Sequence, residues 1–273
     1  MGVHDNRSGD NCVLCDNDNL LGYWYPVARA VDVMGAPKSV QLLGRKLVLW
    51  RGDSGENTGV VSALPDRCPH REAKLSGGWV SDGCLVCPYH GWEFEADGRC
   101  VKVPSASEGV PPPPKAHIAP YGCQEKYGLI WVCLGEPKAD IPEMTWDSDP
   151  RFRRLNTPVD VWQCSATRMV DNFLDITHFP FVHVDSFGRR QETSVPKVEL
   201  GPLDDDFFGY SYEVNANNAS VGTIASGQTT DVVHRKMSSG FSLPLLCRST
   251  IEYDNGLSHI LLLVSTPIDD VTS

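Results

Sequence analysis

Two short loops each carry a cysteine and a histidine: Cys68-Pro69-His70 and, after sixteen intervening residues, Cys87-Pro88-Tyr89-His90. No other feature constrains the chain so strongly, because bringing the loops together fixes four metal-binding side chains in a small volume. Two thiolates and two imidazoles are the ligand set of a 2Fe-2S cluster in which sulfur holds one iron and nitrogen the other. Neutral imidazoles raise the reduction potential and let their iron lie near the surface for electron exchange. Pro69 and Pro88 stiffen the loops and favour a preformed site. A Cys2His2 zinc site uses the same ligand types, and Cys84 with Cys87 makes a C-x-x-C. Zinc fingers usually pair Cys with Cys and His with His, however, whereas each half here is mixed in a chain with only 8 His.

The setting agrees with a metalloprotein. At 273 residues the chain is long enough for one or two domains, and 41% hydrophobic with 22% charged residues describes an ordinary globular protein. A net charge of −11 excludes a general nucleic-acid or anionic-membrane binder. The longest apolar runs, residues 129–134 and 260–264, fall far short of the roughly 20 residues of a membrane span. Residues 1–19 are polar and lack an apolar signal core, so a cytoplasmic location is expected. In that setting the 10 Cys read as metal ligands and buried thiols, not as a disulfide framework.

Along the chain, residues 1–20 read as a flexible tail and residues 21–136 as an all-β domain. Short β-rich runs at 39–43, 46–50, 60–63 and 128–134 are separated by turn residues. Four prolines within 110–115 predict an extended surface loop. A Pro- and acid-rich stretch, 137–151, is the expected linker. Residues 152–273 then read as an α+β domain: a helix over 166–179 stopped by Pro180, and strands over 207–214, 220–225, 229–233, 248–253 and 259–266. Val221, Ile224, Phe241 and Leu243 are expected to line a pocket. Cys12-x-x-Cys15 reads as incidental, and the run Asp204–Asp206 as a solvated turn.

A second dense motif lies at the start of that domain: Asp171-Asn172-Phe173-Leu174-Asp175-Ile176-Thr177-His178-Phe179-Pro180-Phe181-Val182-His183. On a helix, Asp171, Asp175 and His178 share one face, and a break at Pro180 lets His183 turn back toward His178. Two imidazoles and a carboxylate leave coordination positions open for substrate and oxygen, as in non-haem Fe(II) oxygenases.

With both motifs in view, the sequence resembles the Rieske oxygenases. The resemblance is carried by Arg67-Cys-Pro-His-Arg71, Lys74-Leu-Ser-Gly-Gly78, Cys87-Pro-Tyr-His-Gly-Trp-Glu-Phe94, Gly98-Arg-Cys-Val-Lys-Val-Pro104, Trp24-Tyr-Pro-Val-Ala28 and the 171–183 motif. It is nearest to the terminal oxygenases of the vanillate demethylase, pheophorbide oxygenase and saxitoxin-tailoring types. The resemblance implies an all-β Rieske domain followed by an α+β, helix-grip-like catalytic domain. It implies that Cys68 and Cys87 hold one cluster iron, His70 and His90 the other, and that Cys84 is structural. It makes His178 and His183 ligands of a mononuclear Fe(II). Asp175 would be the carboxylate linking that site to the cluster of a neighbouring subunit, and Asn172 a residue close to the iron.

The implied partners are a flavin/iron-sulfur reductase or ferredoxin, with NAD(P)H used only indirectly, O2, and a small organic substrate. The implied assembly is a homotrimer, and the implied chemistry is hydroxylation, oxidative demethylation or dioxygenation. The family's third iron ligand, an Asp, follows a strand ending in Thr-Pro. Here that strand is 259–267 and the sequence stops at Ser273, so the catalytic domain is expected to be C-terminally incomplete, with Asp185 or Asp231 as internal substitutes. Two rival readings are a Rieske electron carrier with a degenerate second domain and a zinc-binding structural protein.

Overall fold

The computed structural model describes residues 14–55, 58–217 and 232–273. They divide into two compact units. One comprises the residues up to Asp140 together with Asn156–Ser165 and Thr266–Ser273, and the other Ile141–Leu155 and Ala166–Ser265. None of the described helices is long and apolar enough to cross a membrane.

The first unit is built from three small antiparallel sheets. One has the order β1 (Tyr25–Arg29), β10 (Leu129–Cys133), β9 (Gly122–Lys126). A second is β2 (Lys38–Leu42), β3 (Arg45–Arg51), β4 (Val61–Pro65), and the third β5 (Trp79–Ser81), β6 (Cys84–Val86), β7 (Glu93–Phe94), β8 (Cys100–Lys102). Strand β3 does not alternate inside and outside: Leu47, Val48, Leu49 and Trp50 are each at most 1% exposed, so both faces of the strand are covered. Ile130–Cys133 behave alike, and Trp131 satisfies its buried indole by donating Nε1–H to the Lys126 carbonyl at 3.0 Å. Val48, Trp50, Leu64, Leu75, Leu85 and Phe94 form one apolar cluster, and Cys68 and Cys87 belong to it. The proline loop is irregular and largely exposed, as its composition requires.

The second unit is a five-stranded antiparallel sheet in sequential order, β11 (Gly201–Pro202), β12 (Phe208–Asn217), β13 (Val232–Ser242), β14 (Leu246–Tyr253), β15 (Ser258–Val264). Helix α1 (Ala166–Leu174) packs against β13 and β14, and a single turn, α2 (Phe179–Val182), follows it. Register puts Tyr212, Met237, Ile251 and His259 in one row across the sheet.

Several expectations are corrected here. The helix does not run to residue 179: it ends at Leu174, and Pro180 opens α2 instead of stopping α1. Proline tolerates the first turn of a helix because its missing N–H is unpaired there in any case. The long strand β13 escapes a hydrophobicity reading because one of its faces carries His234, Lys236, Ser238 and Gly240. Leu243 is 57% exposed, and neither it nor Phe241 lines either of the two cavities described in this unit. Val221, Ile224, Asp231, Cys12 and the expected strand at 220–225 lie outside the described residues.

Between β7 and β8 the chain turns at Gly98 with φ +79°, and a Cβ there would come within 1.7 Å of the Ile118 carbonyl oxygen. Gly98→Ala should therefore cost more than about 1 kcal/mol in urea unfolding, through both the left-handed backbone and the clash. An unchanged midpoint would show that the turn relaxes freely.

Candidate cluster and iron sites

The first Cys-His loop leaves β4 and is closed on itself: Cys68 N–H donates to the Ala73 carbonyl at 2.9 Å, and Glu72 N–H to the Cys68 carbonyl at 2.9 Å. The second lies between β6 and β7, where Cys87 N–H donates to the Trp92 carbonyl at 2.8 Å and Gly91 N–H to the Cys87 carbonyl at 3.0 Å. These backbone bonds sink Cys68 and Cys87 to 1% and 2% exposure and leave His70 and His90 in solvent.

The four side chains meet in two pairs. Burial, opposed by the backbone amides of His70 and Arg71 and reinforced by the neighbouring Cys87, pushes the Cys68 thiol up to about 11. The two imidazole rings stand 4.6 Å apart, edge to face, and His70 stacks flat on Trp92 at 4.5 Å. Desolvation, followed by the neighbouring His90 and Arg71, lowers the His70 pKa and so favours the neutral imidazole that can donate a lone pair.

Among the described residues no three His, Cys, Asp or Glu side chains gather around one point. A pair of thiols beside a pair of imidazoles fits a two-iron cluster with two ligands on each iron better than it fits one tetrahedral zinc. Cys84 stays outside the pair, buried in β6. The nine described cysteines are all free thiols.

One anchor of this site was not singled out from sequence. Asp66 is 7% exposed, and its carboxylate accepts Ser76 N–H at 2.7 Å, Ser76 Oγ–H at 2.6 Å and Ser39 Oγ–H at 3.2 Å. It ties the base of the first loop to the Lys74–Gly78 stretch and to β2. Its position two residues before Cys68 was the available signal.

In the second unit, Asp175 organises the turn between α1 and α2. Its Oδ1 accepts Thr177 N–H at 2.7 Å and Thr177 Oγ1–H at 2.6 Å, and its Oδ2 faces His178 Nδ1 at 3.0 Å. Burial pushes the Asp175 carboxyl up, but Thr177 and His178 outweigh it and hold the group below the usual carboxylate range. His178 and His183 bracket α2, and their Nε2 atoms face one another at 3.2 Å. Two nitrogens that close can both reach one cation with bonds of about 2.1 Å. Burial, then His178, lowers the His183 pKa, and Phe187 stacks on the His183 ring at 4.6 Å. Tyr210 donates its hydroxyl to the Leu174 carbonyl, pinning the end of α1 to the sheet.

Asp171 does not join this group. It is exposed and faces Arg168 at 3.7 Å, because the chain leaves the helix before His178. Asn172 and Asp185 are exposed as well, and Asp185 does not complete a set of three with the histidines.

Asp66→Ala removes the acceptor for three donors, one of them a backbone amide. It should lower stability by about 1–3 kcal/mol and melt the first unit at lower temperature. A thermal scan unchanged from the parent would show that Ser76 and Ser39 are served otherwise.

Comparison with known proteins matches two family models: a Rieske [2Fe-2S] domain over residues 23–121 and a vanillate O-demethylase oxygenase C-terminal domain over residues 162–273. The methylxanthine N1-demethylase NdmA of Pseudomonas putida is 31% identical over 272 residues, covering 94% of this chain and 72% of that protein. The vanillate O-demethylase oxygenase subunit of a Pseudomonas strain is 33% identical over 63% of this chain and 48% of its own length. The chain thus spans about seven-tenths of one relative and about half of the other.

Among solved structures, NdmA with caffeine superposes with a TM-score of 0.79 at 29% identity, over 93% of this chain and 72% of that one. Dicamba monooxygenase bound to dicamba gives 0.76 at 25%, over 93% and 75%. The cofactors of such proteins are a Rieske 2Fe-2S cluster and a mononuclear iron; the Cys68/Cys87 and His70/His90 pairs suit the first, and the His178/His183 pair suits the second. With an all-β Rieske domain followed by a sheet-rich oxygenase domain, this oxidoreductase chain belongs to the Rieske oxygenases.

Proposed function

We propose that the chain acts as a terminal oxygenase on an aromatic or polycyclic small molecule, with the roles of its residues as follows. Cys68 and Cys87 hold the inner iron of the cluster, and His70 and His90 the outer one. His178 and His183 hold the mononuclear iron through Nε2. When bound, the cluster supplies single electrons and the iron supplies oxygen activation. The observation that carries the reading is the second pair, His178 and His183 with facing Nε2 atoms beside a carboxylate, because an electron carrier has no use for it.

The chain's own residues set up that chemistry. With Nε2 committed to the metal, His178 must carry its proton on Nδ1 and donate it to Asp175 Oδ2, which fixes the tautomer and the ring plane. Thr177 holds the carboxylate in place from the other side. In this reading Asp175 also accepts a hydrogen bond from a cluster-ligating histidine of a neighbouring subunit, which makes a head-to-tail homotrimer the working assembly. Asn172 then stands near the iron without binding it.

Electrons come from a flavin/iron-sulfur reductase or a ferredoxin that draws on NAD(P)H. The exposed rings of His70 and His90 are the point of entry. The reaction is hydroxylation, which becomes demethylation when the carbon attacked is an O- or N-methyl group, as the names of the two demethylase relatives support. The location is cytoplasmic.

Anaerobic purification, with iron and acid-labile sulfide counted and the reduced protein examined by EPR, tests this. His178→Ala and His183→Ala should each lose the mononuclear iron and keep the cluster signal, whereas Cys87→Ser should lose the cluster. Asp175→Asn should keep both metals and lose oxygen-dependent turnover. Zinc without sulfide in the parent protein would sink the proposal.

A further inference from the structure

Trp92 touches both Cys-His loops. Its carbonyl accepts Cys87 N–H at 2.8 Å and so closes the second loop, while its indole lies on His70 of the first. The two ring centroids are 4.5 Å apart and the planes within 4° of parallel, an offset stack. Trp92 is 8% exposed and belongs to the apolar cluster that also holds Cys68 and Cys87, whereas His70 stands in solvent. The indole is therefore fixed from behind by the core and presents one face to an exposed ligand ring.

The surroundings of His90 differ. It meets the His70 ring edge to face at 4.6 Å, and the Tyr89 ring at 3.9 Å with the planes 39° apart. Tyr89 is itself 64% exposed. Filling the core explains why Trp92 is buried, since any large apolar side chain can do that. It does not explain why the indole plane matches that of an exposed histidine. An imidazole on a short exposed loop has a broad choice of orientations about its last side-chain bond. Flat contact with the indole removes most of them and holds the ring ready for one iron geometry.

The stacked face also has an electrostatic consequence with a definite sign. Two thiolates cancel the charge of an oxidised 2Fe-2S cluster, so an added electron makes the whole centre negative. The π face of an indole is negative and attracts positive charge. By covering one side of His70 it also keeps away the water that would solvate the extra negative charge. Both effects favour the oxidised form and lower the reduction potential.

We infer that Trp92 is a positioning residue for the cluster: its indole sets the plane of the His70 ring and lowers the reduction potential of the centre. The inference rests on the reading above, in which Cys68, Cys87, His70 and His90 are the cluster ligands.

Redox titration of the anaerobically purified whole chain at one fixed pH tests it without turnover, with EPR of the reduced protein and a count of acid-labile sulfide. Trp92→Leu should keep the sulfide count and shift the reduction equilibrium about tenfold toward the reduced form, a rise of about 59 mV for one electron. Its EPR lines should broaden, because the His70 ring no longer has one plane. Trp92→Phe keeps a flat but weaker face and should shift the equilibrium about two- to threefold in the same direction with narrow lines. The outcome therefore does not hang on Trp92→Leu assembling a cluster. Tyr89→Leu removes the tilted, exposed ring from His90 and should shift the potential less than Trp92→Leu. An unchanged or lowered potential in the Trp92 variants, or an equal rise in Tyr89→Leu, would overturn the inference. With full sulfide in the parent, such a result sinks only the role of Trp92. A parent protein without sulfide sinks the cluster reading itself.

Discussion

The first unit depends on holding two thiols in a dry core while imidazoles two and three residues further along the chain stay wet. Cysteine behaves as a small apolar residue and joins Leu75, Leu85 and Phe94 without penalty. Histidine has an apolar ring body and polar nitrogens, so it can rest on Trp92 and still face water. The small sheets make this separation possible. They bring β4 and the β6–β7 turn around one apolar cluster, and the loops then close through their own backbone bonds. A redox centre arranged in this way keeps one side insulated and the other open to an electron donor.

The second unit reaches a similar pairing by turn chemistry. Asp175 stays helical at its amide, which donates to the Asp171 carbonyl at 3.1 Å, yet its side chain captures Thr177 and so ends the helix there. His178 then caps α2 from one end and His183 from the other, which turns a five-residue separation into a 3.2 Å contact. The same carboxylate that makes the turn also orients the His178 ring. Removing its charge therefore disturbs the orientation of the His178 ring before it disturbs the fold.

The legibility of these two sites in the sequence was uneven, for physical reasons. Both motifs could be read because each is local: their spacing within a few residues is decided by turns and single helical steps. The two-unit order of an all-β part and a sheet-rich part with few helices was also visible, from turn residues in the first and apolar runs in the second. What escaped is non-local. Asp66 works through Ser39, 27 residues away, and Phe187 matters to His183 only because the chain folds back on itself. The extent of the helix was misread because residues 166–179 have helical composition throughout, and composition does not show that Asp175 spends its carboxylate on Thr177. Strand β13 was underestimated because one face of a central strand can be wholly polar when only the other packs.

That last point bears on Arg235. It sits in the row of β13 that also carries Val233, Met237 and Phe241, opposite Val214 on β12 and Tyr253 on β14, so the alternation of the sheet directs a cation among apolar neighbours. For folding alone, a methionine there would serve better, since replacing buried charge with apolar volume is often neutral or stabilising. A local choice that conflicts with its surroundings marks either an error in the reading or a function. Here the guanidinium lies against the rings of Tyr253 and Phe187 and reaches the Asn217 carbonyl, so the fold meets part of that cost with aromatic faces and a backbone acceptor.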